Sequence, residues 1–158
     1  MDSRLEAIGT SDAIDLKGKT AVSQGQLAYK IFLEQFSTDR WKALEDRGAR
    51  LQRPLWASTS TKNPTYPDTL YVDQLIGPHT VNTLPDGTLA AFLDHGNLAR
   101  TIDASFETAT EVVQKVEAIG VDLDDVSEKL EREGVSSFET SFVNLLDTLS
   151  KKAESLQS

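Results

Sequence analysis

The sequence predicts an α/β protein dominated by helices, with about two parallel strands. Three observations predict it. Leu55-Trp56-Ala57-Ser58 and Thr80-Val81-Asn82-Thr83-Leu84 are short apolar runs that lack helical spacing and carry hydroxyls. A polar loop and a short helical stretch, residues 69–76, separate them, and helical patterns flank them on both sides. The order strand, loop, helix, strand, helix is the grammar of a parallel β/α unit. Two parallel strands do not make a self-contained sheet, which needs both faces covered and its edges paired. The chain therefore either folds mostly as helices or forms part of a larger α/β barrel.

Each element has its own signals. Residues 1–10 (MDSRLEAIGT) are helical in pattern but begin abruptly, without an N-cap ahead of Ser3, as if something once preceded them. Lys17-Gly18-Lys19 is a basic turn. Over residues 20–36, Val22, Leu27, Ala28, Ile31, Phe32 and Phe36 recur at amphipathic-helix spacing. Ser37, Thr38 and Asp39 are N-cap candidates for a helix over 40–47, closed by Gly48. Pro54 can open the first strand, where it removes no ladder bond. Gly77-Pro78 stops the helix of 69–76. Pro85 fits the first turn of the next helix, which runs to His95 with Gly96 as its C-cap. Residues 104–119 place Phe106, Ala109, Val112, Val113 and Val116 on one face, ended by Gly120. A helix starting at Asp122–Asp125 is expected to end at Gly134. Ser136 or Ser137 then caps a last helix whose buried stripe is Phe138, Phe142, Val143, Leu145, Leu146 and Leu149, and residues 150–158 are expected to fray.

Length and composition narrow the function. A chain of 158 residues is one domain by length. A net charge of −9, concentrated after Asp103, repels phosphate backbones and anionic lipid, so neither nucleic acid nor membrane is an expected partner. No apolar run approaches the ~18 residues of a membrane helix, and no signal-peptide core opens the chain, so a cytoplasmic location is expected. Zero cysteines exclude disulfides, thiolate metal sites and a cysteine nucleophile, and two histidines exclude a histidine-rich metal cage.

The stretch RPLWASTSTKNPTYPDTLYVDQLIGPHTVNTLP, residues 53–85, closely resembles the region near the C-terminus of transaldolases, whose bacterial branch carries LWAST-x-x-KNP. The flanks RLEAIGT, LKGKTAVSQGQLAYKIFLEQF and RWKALEDRGARLQRP are similar to the same family. The resemblance implies the C-terminal portion of a (β/α)8 barrel, a fold that usually needs about 250 residues. Residues 1–53 would be a helical layer, 54–96 the last two strand–helix units and 97–158 C-terminal helices. It also implies transfer of a dihydroxyacetone unit between sugar phosphates in the pentose phosphate pathway. There a lysine Schiff base is the electron sink, and neither metal nor organic cofactor is required. In the family that lysine and the proton-transferring acids lie on upstream strands, and no position here matches them. What these residues would supply is the phosphate end of the site, which barrel enzymes often build from the loops after strands seven and eight.

Lys62 follows the motif and corresponds to the family's basic phosphate contact, a point charge on a polar loop. Its bland reading is a solvated lysine; a Schiff-base role would need burial or a neighbouring cation, which a loop does not promise. Ser58 and Thr59, at the strand end, either donate to phosphate or cap loop backbone. Asn63, before Pro64, shapes the loop. Asn82 and Thr83 either face the site or pack at the strand end. His79 and His95 read as surface residues, Asp86 as a cap, and Asp68 and Asp73 as solvated carboxylates. Asp122–Asp125 lacks the glycine and closing glutamate of a calcium loop.

The expected partner is a sugar phosphate, and the chain by itself is expected to be inactive. Two rivals stand beside this reading. One is a non-catalytic helical remnant that self-associates through apolar surface left by absent strands. The other is one half of a split enzyme completed by an N-terminal barrel segment.

Overall fold

The computed structural model describes residues 1–156, which fall into two units, Met1–Ile119 and the segment from Gly120 onward. The first unit opens with α1 (Asp2–Ile8), closed by Gly9 at a φ of 71°, where the left-handed turn lets its N–H reach the Leu5 carbonyl. Next comes α2 (Ser11–Asp15), whose cap Thr10 accepts from the Ala13 N–H. Five residues are too few to show a periodicity, and the pattern reading missed this helix. There follow α3 (Thr20–Gln35) and α4 (Asp39–Glu45), the latter capped by the Thr38 hydroxyl accepting from the Trp41 N–H. Then come β1 (Leu55–Trp56), α5 (Leu70–Gln74), β2 (Val81–Asn82), α6 (Asp86–His95) and α7 (Phe106–Ala118). The Ser105 hydroxyl caps α7 by accepting from the Thr108 N–H.

The two strands pair in parallel, Leu55 opposite Val81 and Trp56 opposite Asn82. The Val81 N–H donates to the Pro54 carbonyl at 2.9 Å and the Thr83 N–H to the Trp56 carbonyl at 3.0 Å. Both strands are shorter than the runs that predict them, and among the described residues they form a sheet of two.

Helix packing supplies the core. Val22, Tyr29 and Phe32 of α3 are buried with Leu75 and Ile102, and Phe36, Leu51, Trp56, Tyr71 and Phe106 pack around them. Each buried side chain of this size contributes about 1.5–3 kcal/mol. The rings of Tyr29, Phe32, Phe36 and Trp41 run in series at centroid separations of 5.6, 5.1 and 4.6 Å. α7 lies on α3 with Ala109 and Val116 fully buried.

The segment after α5 is tied down by polar contacts. Thr101 Oγ1 donates to the Asp73 carbonyl at 2.5 Å, and the Ile102 N–H donates to the Ile76 carbonyl at 3.1 Å. Asp73 itself is not solvated: it accepts from Thr69 Oγ1 at 2.7 Å and from the Asn97 N–H at 3.0 Å. A Cβ on Gly77 would lie 2.1 Å from Ile102, so the close approach of these two segments requires glycine there.

The second unit is α8 (Leu123–Ser155), a single helix of 33 residues. Asp122 caps it, its carboxylate accepting from the Asp124 and Asp125 N–H groups. The sequence pattern predicts a break at Gly134 and a new cap at Ser136 or Ser137, and neither occurs. A helix-interior glycine costs about 1 kcal/mol relative to alanine, too little to end a long helix that has no left-handed residue at that point. Gly9, Gly18, Gly48 and Gly120 do adopt positive φ; Gly134 does not. A second correction concerns burial. Phe138, Phe142, Val143, Leu145, Leu146 and Leu149 are all exposed, Phe138 by 81%. Their spacing defines a face but supplies nothing to cover it. At α6, Pro85 is the N-cap and not a first-turn residue, Asp86 opens the helix without a side-chain cap bond, and Gly96 is extended. No helix among the described residues is long and apolar enough to cross a membrane.

Candidate functional site

The loop from Ala57 to Thr69 leaves β1 at the end where its parallel partner β2 also ends, so side chains of both turns converge there. Ser58 takes the first turn with a φ of 56°, left-handed backbone that a non-glycine residue adopts only at a cost. The turn buries Thr59, whose Oγ1 donates to Asn82 Oδ1 at 2.9 Å and so ties the loop to the end of β2. Thr83 Oγ1 donates to the Trp56 carbonyl at 3.3 Å and reinforces the same junction.

Beyond that junction the loop turns on itself. Lys62 Nζ is exposed and donates to Ser60 Oγ at 3.0 Å. Asn63 Oδ1 accepts from the Thr65 N–H at 3.0 Å and from Thr65 Oγ1 at 2.8 Å, a side-chain turn that fixes the segment around Pro64. Tyr66 then anchors the loop to the chain's beginning: its hydroxyl donates to Asp2 Oδ2 at 2.5 Å. Burial, and next the Asp2 carboxylate, push the Tyr66 phenol far above its ordinary range, so it stays protonated and keeps donating.

Ser58, Thr59, Lys62, Asn63 and Tyr66 line a cavity of about 670 Å³ whose walls also include Asp2, Thr20, Gly25 and Trp56. That volume suits a small-molecule ligand. Two wall residues carry buried polar atoms with no protein partner, Thr20 Oγ1 and Trp56 Nε1. Among the described residues no group of three or more His, Asp or Glu side chains could hold a metal ion.

The structure brings Ser58, Thr59 and Lys62 into one wall. They are not equivalent there. Ser58 and Lys62 are exposed, whereas the Thr59 hydroxyl proton is already committed to Asn82. Tyr66 and Asp2 are the site residues that the sequence pattern did not single out. Sixty-four positions separate them, and no local spacing announces such a contact. His79 and His95 are exposed, as expected. Asp68, read as simply solvated, instead accepts from His95 Nε2 at 2.8 Å, while His95 Nδ1 lies 3.1 Å from Asp94. The Asp68 hydrogen bond, and then that of Asp94, raise the His95 pKa, and the His95 hydrogen bond lowers that of Asp68.

Comparison with known proteins gives this site its context. The profile of the family described as Transaldolase/Fructose-6-phosphate aldolase matches residues 3–149. A transaldolase of Frankia alni is 50% identical over 153 residues, covering 96% of this chain and 41% of the relative. One from Parafrankia sp. is 50% identical over 159 residues, covering 100% and 43%. One from Mycolicibacterium smegmatis is 50% identical over 148 residues, covering 93% and 40%. The chain thus spans about two fifths of the length of these curated relatives, in their C-terminal part. With the profile match spanning nearly all of its residues and half of them identical to those of known transaldolases, the chain belongs to the transaldolase/fructose-6-phosphate aldolase family.

Proposed function

We propose that these residues form the phosphate-gripping end of a transaldolase site that acts on sugar phosphates. In this reading β1 and β2 are the last two strands of a (β/α)8 barrel, and the reaction belongs to the pentose phosphate pathway of the cytoplasm. One observation carries the proposal: Lys62 and Ser58 are exposed together on the wall of a ligand-sized cavity, at the ends of two parallel strands. A parallel barrel presents its strand-end loops to substrate at that end.

The roles divide by chemistry. Lys62 offers a mobile ammonium to the phosphate dianion, and Ser58 adds a hydroxyl donor from a turn already held in shape. Thr59 holds the loop on Asn82 so that the other two converge, a supporting role narrower than the direct contact its motif position implies. The covalent work, condensation of a lysine amine with the donor ketone and acceptance of the electron pair as the carbon–carbon bond breaks, belongs to an upstream lysine. The unpaired outer edges of the two-stranded sheet fit a partner segment carrying further strands, as does Leu55, exposed by 53%.

Titration of the chain with fructose 6-phosphate and with inorganic phosphate, followed by amide chemical shifts, tests the proposal. Shifts should cluster at residues 57–66, and Lys62→Ala should weaken binding about tenfold or more. Unchanged affinity in that variant overturns the assignment. Borohydride trapping with fructose 6-phosphate should leave the mass of this chain unchanged, and a retained three-carbon adduct would mean that a lysine within it is the nucleophile.

A further inference from the structure

A second cavity, of about 270 Å³, lies between α3, α5 and the first turn of α7, with Lys19 in its wall. We infer that it binds a small organic oxyanion, a carboxylate or a phosphate carried on a short apolar body. The inference is independent of the phosphate-loop reading.

The first observation is a buried hydroxyl with nothing to bond. Ser23 is only 4% exposed, yet its hydroxyl has no hydrogen-bond partner among the described residues, and it borders this cavity. Buried polar groups are normally satisfied, so an orphan hydroxyl beside open space marks a place where a ligand atom fits. One turn along α3, Gln26 also borders the cavity and is held in position by its Nε2 donating to the Thr101 carbonyl at 3.3 Å.

Charge selects the ligand's sign. The chain carries 25 acidic residues and a net charge of −9, yet among the described residues no Asp or Glu lines this cavity, and its one charged wall residue is Lys19. Lys19 makes no ion pair among the described residues, so its ammonium is open to a ligand. Ser105 and Thr108 place the first turn of α7 in the same wall. A helix leaves its first N–H groups without intrahelical acceptors, and the Ser105 side chain accepts only that of Thr108 from the backbone. The nearest acids weaken this field without cancelling it. Asp103 is paired with Arg100, whose Nε lies 2.9 Å from its carboxylate, and Glu107 is exposed and accepts from Ser105 Oγ at 3.3 Å. Val22, Leu70 and Val112 complete the wall and suit a short hydrocarbon portion. The volume falls just below the ~300–1,000 Å³ of drug-sized sites, which limits the ligand to a small metabolite.

The test uses the whole chain carrying Lys62→Ala, which silences the other cation proposed to grip phosphate. Amide spectra are followed during titration with inorganic phosphate and, separately, with butyrate. Thr20, Ala21 and Gly25 border the larger cavity as well, so the readout is residues 104–112. Their signals should shift with at least one probe. A response to phosphate alone or to butyrate alone supports the site and names its ion. Lys19→Ala should weaken binding about tenfold or more, and Ser23→Ala about threefold. Glu107→Gln should strengthen it about twofold, because a carboxylate leaves the helix end that attracts the anion. Lys19 is exposed, so its loss leaves the packing intact, and a thermal melt confirms that Ser23→Ala remains folded. No shift at residues 104–112 with either probe up to about 20 mM overturns the inference, as does unchanged affinity in Lys19→Ala. Shifts seen only at residues 57–66 of the parent chain, and lost with Lys62→Ala, overturn it too while leaving the phosphate-loop reading in place.

Discussion

α7 and α8 are both amphipathic helices, yet they end up in opposite conditions. α7 buries Ala109 and Val116 against α3, inside a unit that also encloses Tyr29 and Ile102. α8 carries a longer apolar stripe, and its residues are exposed. The difference is not one of pattern, since both stripes have helical spacing. A periodic sequence chooses which face of a helix is apolar, and the neighbours decide whether that face becomes a core or a contact surface.

Substitutions on the two faces should therefore separate sharply, and the largest effect belongs to the first unit. Ile102→Ala should cost about 2–5 kcal/mol by urea unfolding, because it leaves a cavity beneath Gly77 and Tyr29. Phe142→Ala, although it removes a larger group, should change the unfolding of the first unit by less than about 0.5 kcal/mol. Equal losses would break the contrast. At the site loop, Thr59→Val should cost about 1–3 kcal/mol in the same assay, since the Asn82 carbonyl loses its donor at a buried junction. If Thr59→Val unfolds no earlier than the parent chain, the loop is not held by that bond.

Glycines sharpen the comparison at a smaller scale. Gly134→Ala should stabilise α8 by about 0.5–1 kcal/mol, because nothing obstructs the added methyl and the backbone there is not left-handed. Gly120→Ala, at a φ of 92°, should instead destabilise the chain. Thermal melts followed by circular dichroism distinguish the two signs.

The smallest effect is electrostatic. The raised His95 pKa means that its share of the Asp68 pairing is complete below its ordinary value of 6.5 and is lost as pH rises through the raised one. The lowered Asp68 pKa means that its share is complete above 3.8 and fades as pH falls through the depressed value. The pairing therefore works between these limits. The difference in melting temperature between the parent chain and His95→Gln should shrink on going from about pH 5.5 to about pH 9. A constant difference would assign His95 a packing role only.

Several of these features could be read directly from the chain. Thr38, Asp122 and the left-handed glycines Gly48 and Gly120 end or begin helices where their chemistry says they should. The two hydroxyl-bearing runs each contain one of the two short strands, and Lys62 stands in the segment between them. Other features were hidden. Tyr66 meets Asp2 across sixty-four positions, and Asp73 collects donors from Thr69 and Asn97. Contacts of that range leave no periodic trace, because loop closure, not local spacing, brings the partners together.

By itself the sequence determined the family, the helical character, the caps at Thr38 and Asp122 and the order of strand and loop, all of which rest on local backbone preferences and an extended motif. Only the tertiary structure decided that α8 runs unbroken through Gly134, that its phenylalanines are exposed, and that Thr59 ties its loop to Asn82 while Lys62 and Ser58 stay exposed. Those outcomes depend on burial and on partners distant in the chain, and neither is a property of any one segment.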